Sequence, residues 1–225
     1  MAQLSQEAPT LETSIPVRGR FSFVKALVAQ KKFSELVKGR STLPRRIRYA
    51  AGVDVAYSGE LSFAAATLLD YKTLKLVEVT HARKLVKVPY RPGFLGFREA
   101  PIMVRAIQEL DTRPDVILVD GHGLVHPRSF GLACHVGVLL DQPSIGVAKS
   151  SFYGETRGDW VFDKNGHRIA GVLGANKKKL YVSIGHRVSL TRAIQITRRC
   201  IVSNAPEPLR LAHQEATRMA RNDMT

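Results

Sequence analysis

The chain has 225 residues, 44% hydrophobic and 24% charged, a balance that suits a globular protein and excludes collagen, coiled coil and wholesale disorder. Its two cysteines, Cys134 and Cys200, exclude a disulfide framework or a cysteine-rich zinc site and fit a reducing compartment, so a cytoplasmic location is expected; the opening MAQLSQEAPTLETS lacks the pattern of a secretory signal, and no run approaches the roughly 18 apolar residues of a membrane span. Lys and Arg number 34 against 19 Asp and Glu, a net of +15, and the two ends supply nearly all of it: residues 1–48 and 176–225 each hold ten bases and three acids, whereas 49–175 holds fourteen and thirteen.

In chain order, residues 1–20 are polar and aperiodic and read as a flexible tail, leaving 21–225 as one domain. Residues 22–39 predict a helix, with Phe23, Ala26, Leu27, Phe33 and Leu36 or Val37 on one side. Strands are predicted over 48–57, 62–69 and 74–87, and the short turns between them favour an antiparallel meander. PYRPGFLG is a loop. The next helix is expected to begin near Glu99, because Pro101 suits only a first turn. Val116–Val119 is a short apolar run typical of a buried parallel strand. A helix over 129–140, a strand over 144–148, strands near 168–174 and 180–185, and helices over 190–200 and 206–221 complete the list. There is no internal repeat, low-complexity tract or interdomain linker. Three meander strands followed by helix, strand, helix, strand imply an α/β fold, a mixed central sheet flanked by helices in the RNase H-like manner.

The basic ends point to a polyanionic partner, because clustered Lys and Arg release counterions from phosphates; the competing reading is a soluble protein of high pI. Three acids within the near-neutral middle and a histidine of the basic C-terminal segment suit a hard divalent cation, which prefers oxygen donors and accepts imidazole if it is Mn²⁺. Asp54 lies inside a strand, where aspartate is disfavoured. Asp120 ends the VILVD strand, the place where α/β sheets bind ligands, or else caps its Asp-Gly turn. Glu99 opens a helix, where it either joins the site or favours the helix dipole. His213 shares a helical face with Leu209, Ala212 and Ala216 and should point inward, as a ligand or as an ordinary core histidine.

At these residues the sequence resembles the endonuclease V family. The likeness rests on GVDVAY at 52–57, PYRPGFLGFREAP at 89–101, VDGHGLVHPRSFGLACHVGVLL at 119–140, PSIGVAKS at 143–150 and PEPLRLAH at 206–213, in order and spanning about residues 20–217. The resemblance implies an RNase H-like hydrolase that recognises deoxyinosine in DNA. It would nick the second phosphodiester bond 3′ to the lesion with Mg²⁺ or Mn²⁺, leaving 3′-hydroxyl and 5′-phosphate ends. By motif, Asp54 and Asp120 match the principal metal ligands, with Glu99 and His213 completing the site directly or through water. His126 would sit by the scissile phosphate or the attacking water, and Lys149 would hold a phosphate oxygen. Pro89, Tyr90, Arg91 and Pro92 match the strand-separating wedge, although the family has an aliphatic residue where this chain has Arg91. Gly93, Leu95, Gly121 and Leu132 match positions lining the base pocket. The implied protein is monomeric and not membrane-bound. Two alternatives stand beside it: a ribonuclease for inosine-containing single-stranded RNA, and a non-catalytic nucleic-acid-binding module on the same fold.

Overall fold

The computed structural model describes residues 21–174 and 179–223; the tail expected over 1–20 lies outside them. α1 (Phe23–Ser34) is capped by Ser22, whose side chain accepts from the Lys25 amide, and ends on Lys31 and Lys32, which complement the helix dipole. The meander follows: β1 (Tyr49–Ser58), β2 (Leu61–Asp70) and β3 (Leu76–Leu85) pair antiparallel. The turn between β1 and β2 uses Gly59 at φ +53°. After α2 (Leu95–Gln108), β4 (Val116–Asp120) pairs parallel with β1. After α3 (Leu132–Leu140), β5 (Ser144–Ala148) pairs parallel with β4. The chain then doubles back through β6 (Glu155–Arg157), β7 (Trp160–Phe162), β8 (Arg168–Leu173) and β9 (Leu180–His186), all antiparallel. The result is one nine-stranded mixed sheet ordered β3-β2-β1-β4-β5-β9-β8-β7-β6. α4 (Leu190–Cys200), a two-stranded ribbon of β10 (Ile201–Val202) and β11 (Ala205–Pro206), and α5 (Glu207–Asn222) close the chain.

The sheet is apolar on both faces. Ala51, Val53, Ile117 and Val119 pack with Ala100, Met103 and Leu132 of α2 and α3. On the opposite face Ala50, Leu118, Ile145 and Val182 pack with Ala193, Ile196 and Leu209 of α4 and α5. The mixed α/β architecture expected from the element order is therefore the one observed. Among the described residues, no helix is long and apolar enough to cross a membrane.

Several boundaries differ from the sequence expectation for physical reasons. α2 begins at Leu95, not near Glu99, and places Pro101 inside the helix. An interior proline costs about 3 kcal/mol, but Ile102, Met103 and Ile107 are buried on the same helix, at roughly 1.5–3 kcal/mol each. α3 starts at Leu132 rather than 129, because Ser129 takes φ +50° and Gly131 is extended. α1 stops at Ser34, five residues before the expected end. β3 is shorter than expected, since Leu74 sits in a turn at φ +57°. The β6–β7 hairpin and the β10–β11 ribbon have strands of two or three residues, too short to show alternation.

Candidate active site

The parallel pairing of β1 with β4 aligns Val53 with Val119. The next residue on each strand is an aspartate, so Asp54 and Asp120 lie side by side on strands about 4.8 Å apart, facing the same way. That face belongs to α5. Gly52, two residues before Asp54, leaves the space into which the Pro208 carbonyl fits, since a Cβ there would lie 2.2 Å from Pro208 C. Thr67 Oγ1 donates to Pro208 O at 2.8 Å and fixes the helix start. From Pro208 to His213 is five helical residues, about 7.5 Å; from Gly52 to Asp54 is two strand residues, about 6.6 Å. The matched lengths bring His213 beside Asp54, with Nδ1 2.7 Å from Oδ2. Single donor atoms of Asp54, Asp120 and His213 all lie within 4.8 Å of one another.

Asp54 is buried, and burial, followed by the charge of Asp120, raises its pKa against the opposing pull of His213 and the Val55 amide. Two carboxylates forced together with an imidazole make a site that a cation would relieve, and two oxygen donors with one nitrogen suit Mg²⁺ or Mn²⁺. His213 is not the inward core residue that its helical face suggested: its side chain is 57% exposed, at the margin of the buried stripe of Leu209, Ala212 and Ala216.

Glu99 stands outside that trio. Strand alternation turns Val53, Val55 and Tyr57 toward α2, and Glu99 on α2 accepts from Tyr57 Oη at 2.7 Å. Burial pushes its pKa up to about 7; the Tyr57 hydrogen bond opposes this, and Asp54 and Asp120 add to the rise. Tyr57, not singled out in the sequence, also accepts from Arg98 Nε at 3.1 Å. Lys149 follows β5, with Nζ 3.4 Å from Asp120 Oδ2 and its side chain largely exposed.

A cavity of about 210 Å³ adjoins this centre. It is smaller than the roughly 300 Å³ at which pockets for drug-sized ligands begin, a space for a single ring system. Gly93, Leu95 and Leu132, matched to the base pocket, line it, together with Tyr90 and Pro92 of the matched wedge and with Gln30, His122, His126, Phe130 and Phe152. Gly121, the fourth pocket match, does not line it, nor do Pro89 and Arg91 of the wedge. Arg91 instead lies over the Phe23 ring, 4.7 Å from its centroid, so Tyr90, 68% exposed, is the projecting side chain of that loop. Gly121, at φ +153°, acts from behind the wall, where the Leu132 side chain would lie 3.0 Å from a Cβ. Phe152, unmarked by any sequence signal, faces His122 in a near-parallel stack at 6.0 Å. Burial depresses His122 and His126 to about 4, leaving both neutral at physiological pH.

His126 is buried, and both of its ring nitrogens are engaged: Nδ1 accepts the Arg128 amide at 3.2 Å and Nε2 lies 3.1 Å from Gly93 O. Asp120 and the cavity residue His122 are two residues apart, at most about 7 Å along the chain.

A family model described as Endonuclease V matches residues 31–214. Endonuclease V of Thermofilum pendens is 42% identical over 218 residues, covering 91% of both chains. That of Ignicoccus hospitalis is 41% identical over 202 residues, covering 88% of this chain and 95% of its own. Among solved structures, the catalytic domain of human endonuclease V superposes with a TM-score of 0.82 at 29% identity, covering 90% of this chain and 97% of that one. The Ciona intestinalis endonuclease V, solved with a 24mer DNA containing an inosine followed by a ribo-adenosine, superposes with a TM-score of 0.81 at 25% identity, covering 89% and 98%.

Proposed function

The chain belongs to the endonuclease V family, and from that premise we propose that it is a metal-dependent repair nuclease that recognises deoxyinosine in DNA. It hydrolyses the second phosphodiester bond 3′ to the lesion and leaves 3′-hydroxyl and 5′-phosphate ends. The observation that carries this reading is the trio of Asp54, Asp120 and His213 set beside a cavity for one ring system.

Asp54 and Asp120 are the residues that would hold Mg²⁺ or Mn²⁺, with His213 and Glu99 in support; such an ion supplies charge neutralisation at the phosphate and a more acidic water. Asp54 Oδ2 fixes the His213 ring through Nδ1. The Tyr57 hydroxyl holds the Glu99 carboxylate in place. Lys149, already paired with Asp120, binds a non-bridging phosphate oxygen and stabilises the negative charge that builds there as water attacks phosphorus and the bond to the 3′ oxygen breaks. In the cavity, backbone groups around Gly93 meet the Watson–Crick edge of the everted base. They distinguish hypoxanthine from adenine at the six position and from guanine by the missing two-amino group. Tyr90, with Pro89, Arg91 and Pro92 behind it, fills the space the base leaves. The protein acts as a monomer in the cytoplasm.

RNA is a second reading, favoured by the ribo-adenosine that follows the inosine in the strand bound by the Ciona enzyme. The test is a nicking assay on end-labelled strands carrying one inosine, in DNA and RNA versions, with Mg²⁺ or EDTA. Metal-dependent cleavage at the second bond 3′ to inosine is expected, and the better substrate decides between DNA and RNA. No cleavage of either strand by folded protein, with Mn²⁺ also tried, overturns the reading.

A further inference from the structure

We propose that Gln30, Arg128 and His126 form a clamp on one atom, the carbonyl oxygen of Gly93, and that this clamp sets the position of the wedge loop against the base cavity. The proposal rests on the reading of the cavity as the inosine site. It makes all three positioning residues, and it assigns His126 to the loop rather than to the scissile phosphate or the attacking water.

Gly93 takes φ +80°, a backbone state that other residues rarely adopt, and this turn aims its carbonyl into the protein. Arg128 Nη2 donates to that oxygen at 2.6 Å and Gln30 Nε2 at 2.9 Å. His126 Nε2 lies 3.1 Å away, and because Nδ1 already accepts the Arg128 amide, Nε2 carries the proton. The three side chains also hold each other. Arg128 Nε donates to Gln30 Oε1 at 2.6 Å, which fixes the amide of Gln30 with its nitrogen toward Gly93. The Arg128 guanidinium lies over the Phe94 ring, 4.7 Å from its centroid, gripping the residue after the clamped carbonyl.

Gln30 is the informative member. Only Ala26 and Gln30 of α1 are buried, and Gln30 is 1% exposed. Packing alone would be served by an apolar side chain, and a buried amide is tolerated only when its hydrogen bonds are made. Here both ends of the amide are satisfied by the loop and its holder. Within the segment 89–94, by contrast, the backbone makes one hydrogen bond, Phe94 N to Arg91 O at 3.0 Å. The clamp thus ties α1 and the loop after β4 to the wall that must keep its shape when a base enters, which is how supporting contacts convert a cavity into a selective one.

The test compares wild type with Gln30→Leu, which keeps volume and burial, and Gln30→Glu, which keeps an acceptor for Arg128 but loses the donor to Gly93. Hydrogen exchange is followed in the free proteins, and affinity is measured for inosine-containing and undamaged strands. In both variants the amides within 88–98 should exchange at least 10-fold faster, with β4 and α5 unchanged. Affinity for the inosine strand should fall about 10-fold more than for the undamaged one. His126→Asn should raise KM while the pH profile of kcat keeps both limbs. Wild-type exchange and discrimination in Gln30→Leu, or exchange rising equally throughout the sheet, would overturn the clamp; loss of a limb in His126→Asn would return that residue to the scissile phosphate or the attacking water. Exchange needs no substrate, so if wild type itself shows no preference for inosine the functional reading falls and the loop rates still decide the clamp.

Discussion

The acidic centre and the adjoining cavity are built from opposite electrostatics. The centre crowds Asp54 against Asp120: burial and then the charge of Asp120 raise the pKa of Asp54, and burial, with Asp54 and Asp120 adding, raises that of Glu99. The cavity is walled by apolar side chains and by histidines held neutral through burial. One site stores repulsion that a cation relieves; the other excludes charge and rewards a flat, uncharged ring. The lesson is that rate and recognition are separable here, although Asp120 and His122 are only two residues apart. Substitutions in the centre should abolish turnover and spare binding, and substitutions in the cavity should do the reverse.

The largest expected effect tests the centre. Asp54→Asn or Asp120→Asn should lower the nicking rate at least 10³-fold, about 4 kcal/mol of lost transition-state stabilisation. EDTA should do the same to wild type. In each case a gel-shift with an inosine-containing strand should still show a complex. A variant that nicks at the wild-type rate would remove that aspartate from the centre.

A second effect, of intermediate size, tests the neutrality of the cavity's backing. His135 is buried on α3 behind Gly96, its ring 4.9 Å from that of Phe97 and 5.2 Å from that of Phe130. Its Nδ1 has no partner among the described residues, and burial lowers its pKa to about 4. The unfolded chain has the ordinary value near 6.5. Between pH 6.5 and 4 the unfolded state therefore holds a proton that the folded state lacks, so the stability is present above 6.5 and is lost as pH falls through that window. At pH 5 the loss is about 2 kcal/mol from this residue. Urea unfolding from pH 7.5 to 5 should show it, and His135→Leu should flatten the slope. An unchanged slope in the variant would place the proton uptake elsewhere, with His122 and His126 next.

What could be read from the sequence follows the same division. Asp54 and Asp120 were legible because an aspartate inside a strand and another at the end of a parallel strand break local preference, and breaks of that kind mark sites. The order of strands and helices gave the mixed sheet for the same reason, since periodicity is a local signal. The position of Glu99 relative to the strand was not legible, because it depends on which face of β1 meets α2. Nor was the exposure of His213, which sits at the margin of its helix's buried stripe. Gln30 and Phe152 join the cavity through folding alone. Gln30 lies on α1 and Phe152 in the loop between β5 and β6, both with ordinary local patterns, and tertiary contact is what makes them part of the wall.

The smallest expected effect sharpens the cavity side of the comparison and settles which residue forms the wedge tip. The loop offers two long side chains. Arg91 packs over Phe23 and Phe94, so it braces the loop against α1, whereas Tyr90 projects into solvent at the cavity mouth. A ring that stacks on a base contributes about 1–3 kcal/mol, and an exposed cation over an aromatic ring about 0.5–1 kcal/mol. Tyr90→Ala should therefore reduce the preference for inosine over undamaged DNA about 10-fold, with Tyr90→Phe close to wild type because the face does the stacking. Arg91→Ala should cost only about 2–5-fold on the same cation–π magnitude, and should lower affinity for both strands alike. The measurement is competition binding with the two strands at fixed salt. An equal loss on both strands in Tyr90→Ala would deny it the wedge role, and a larger selective loss in Arg91→Ala would move that role to the arginine.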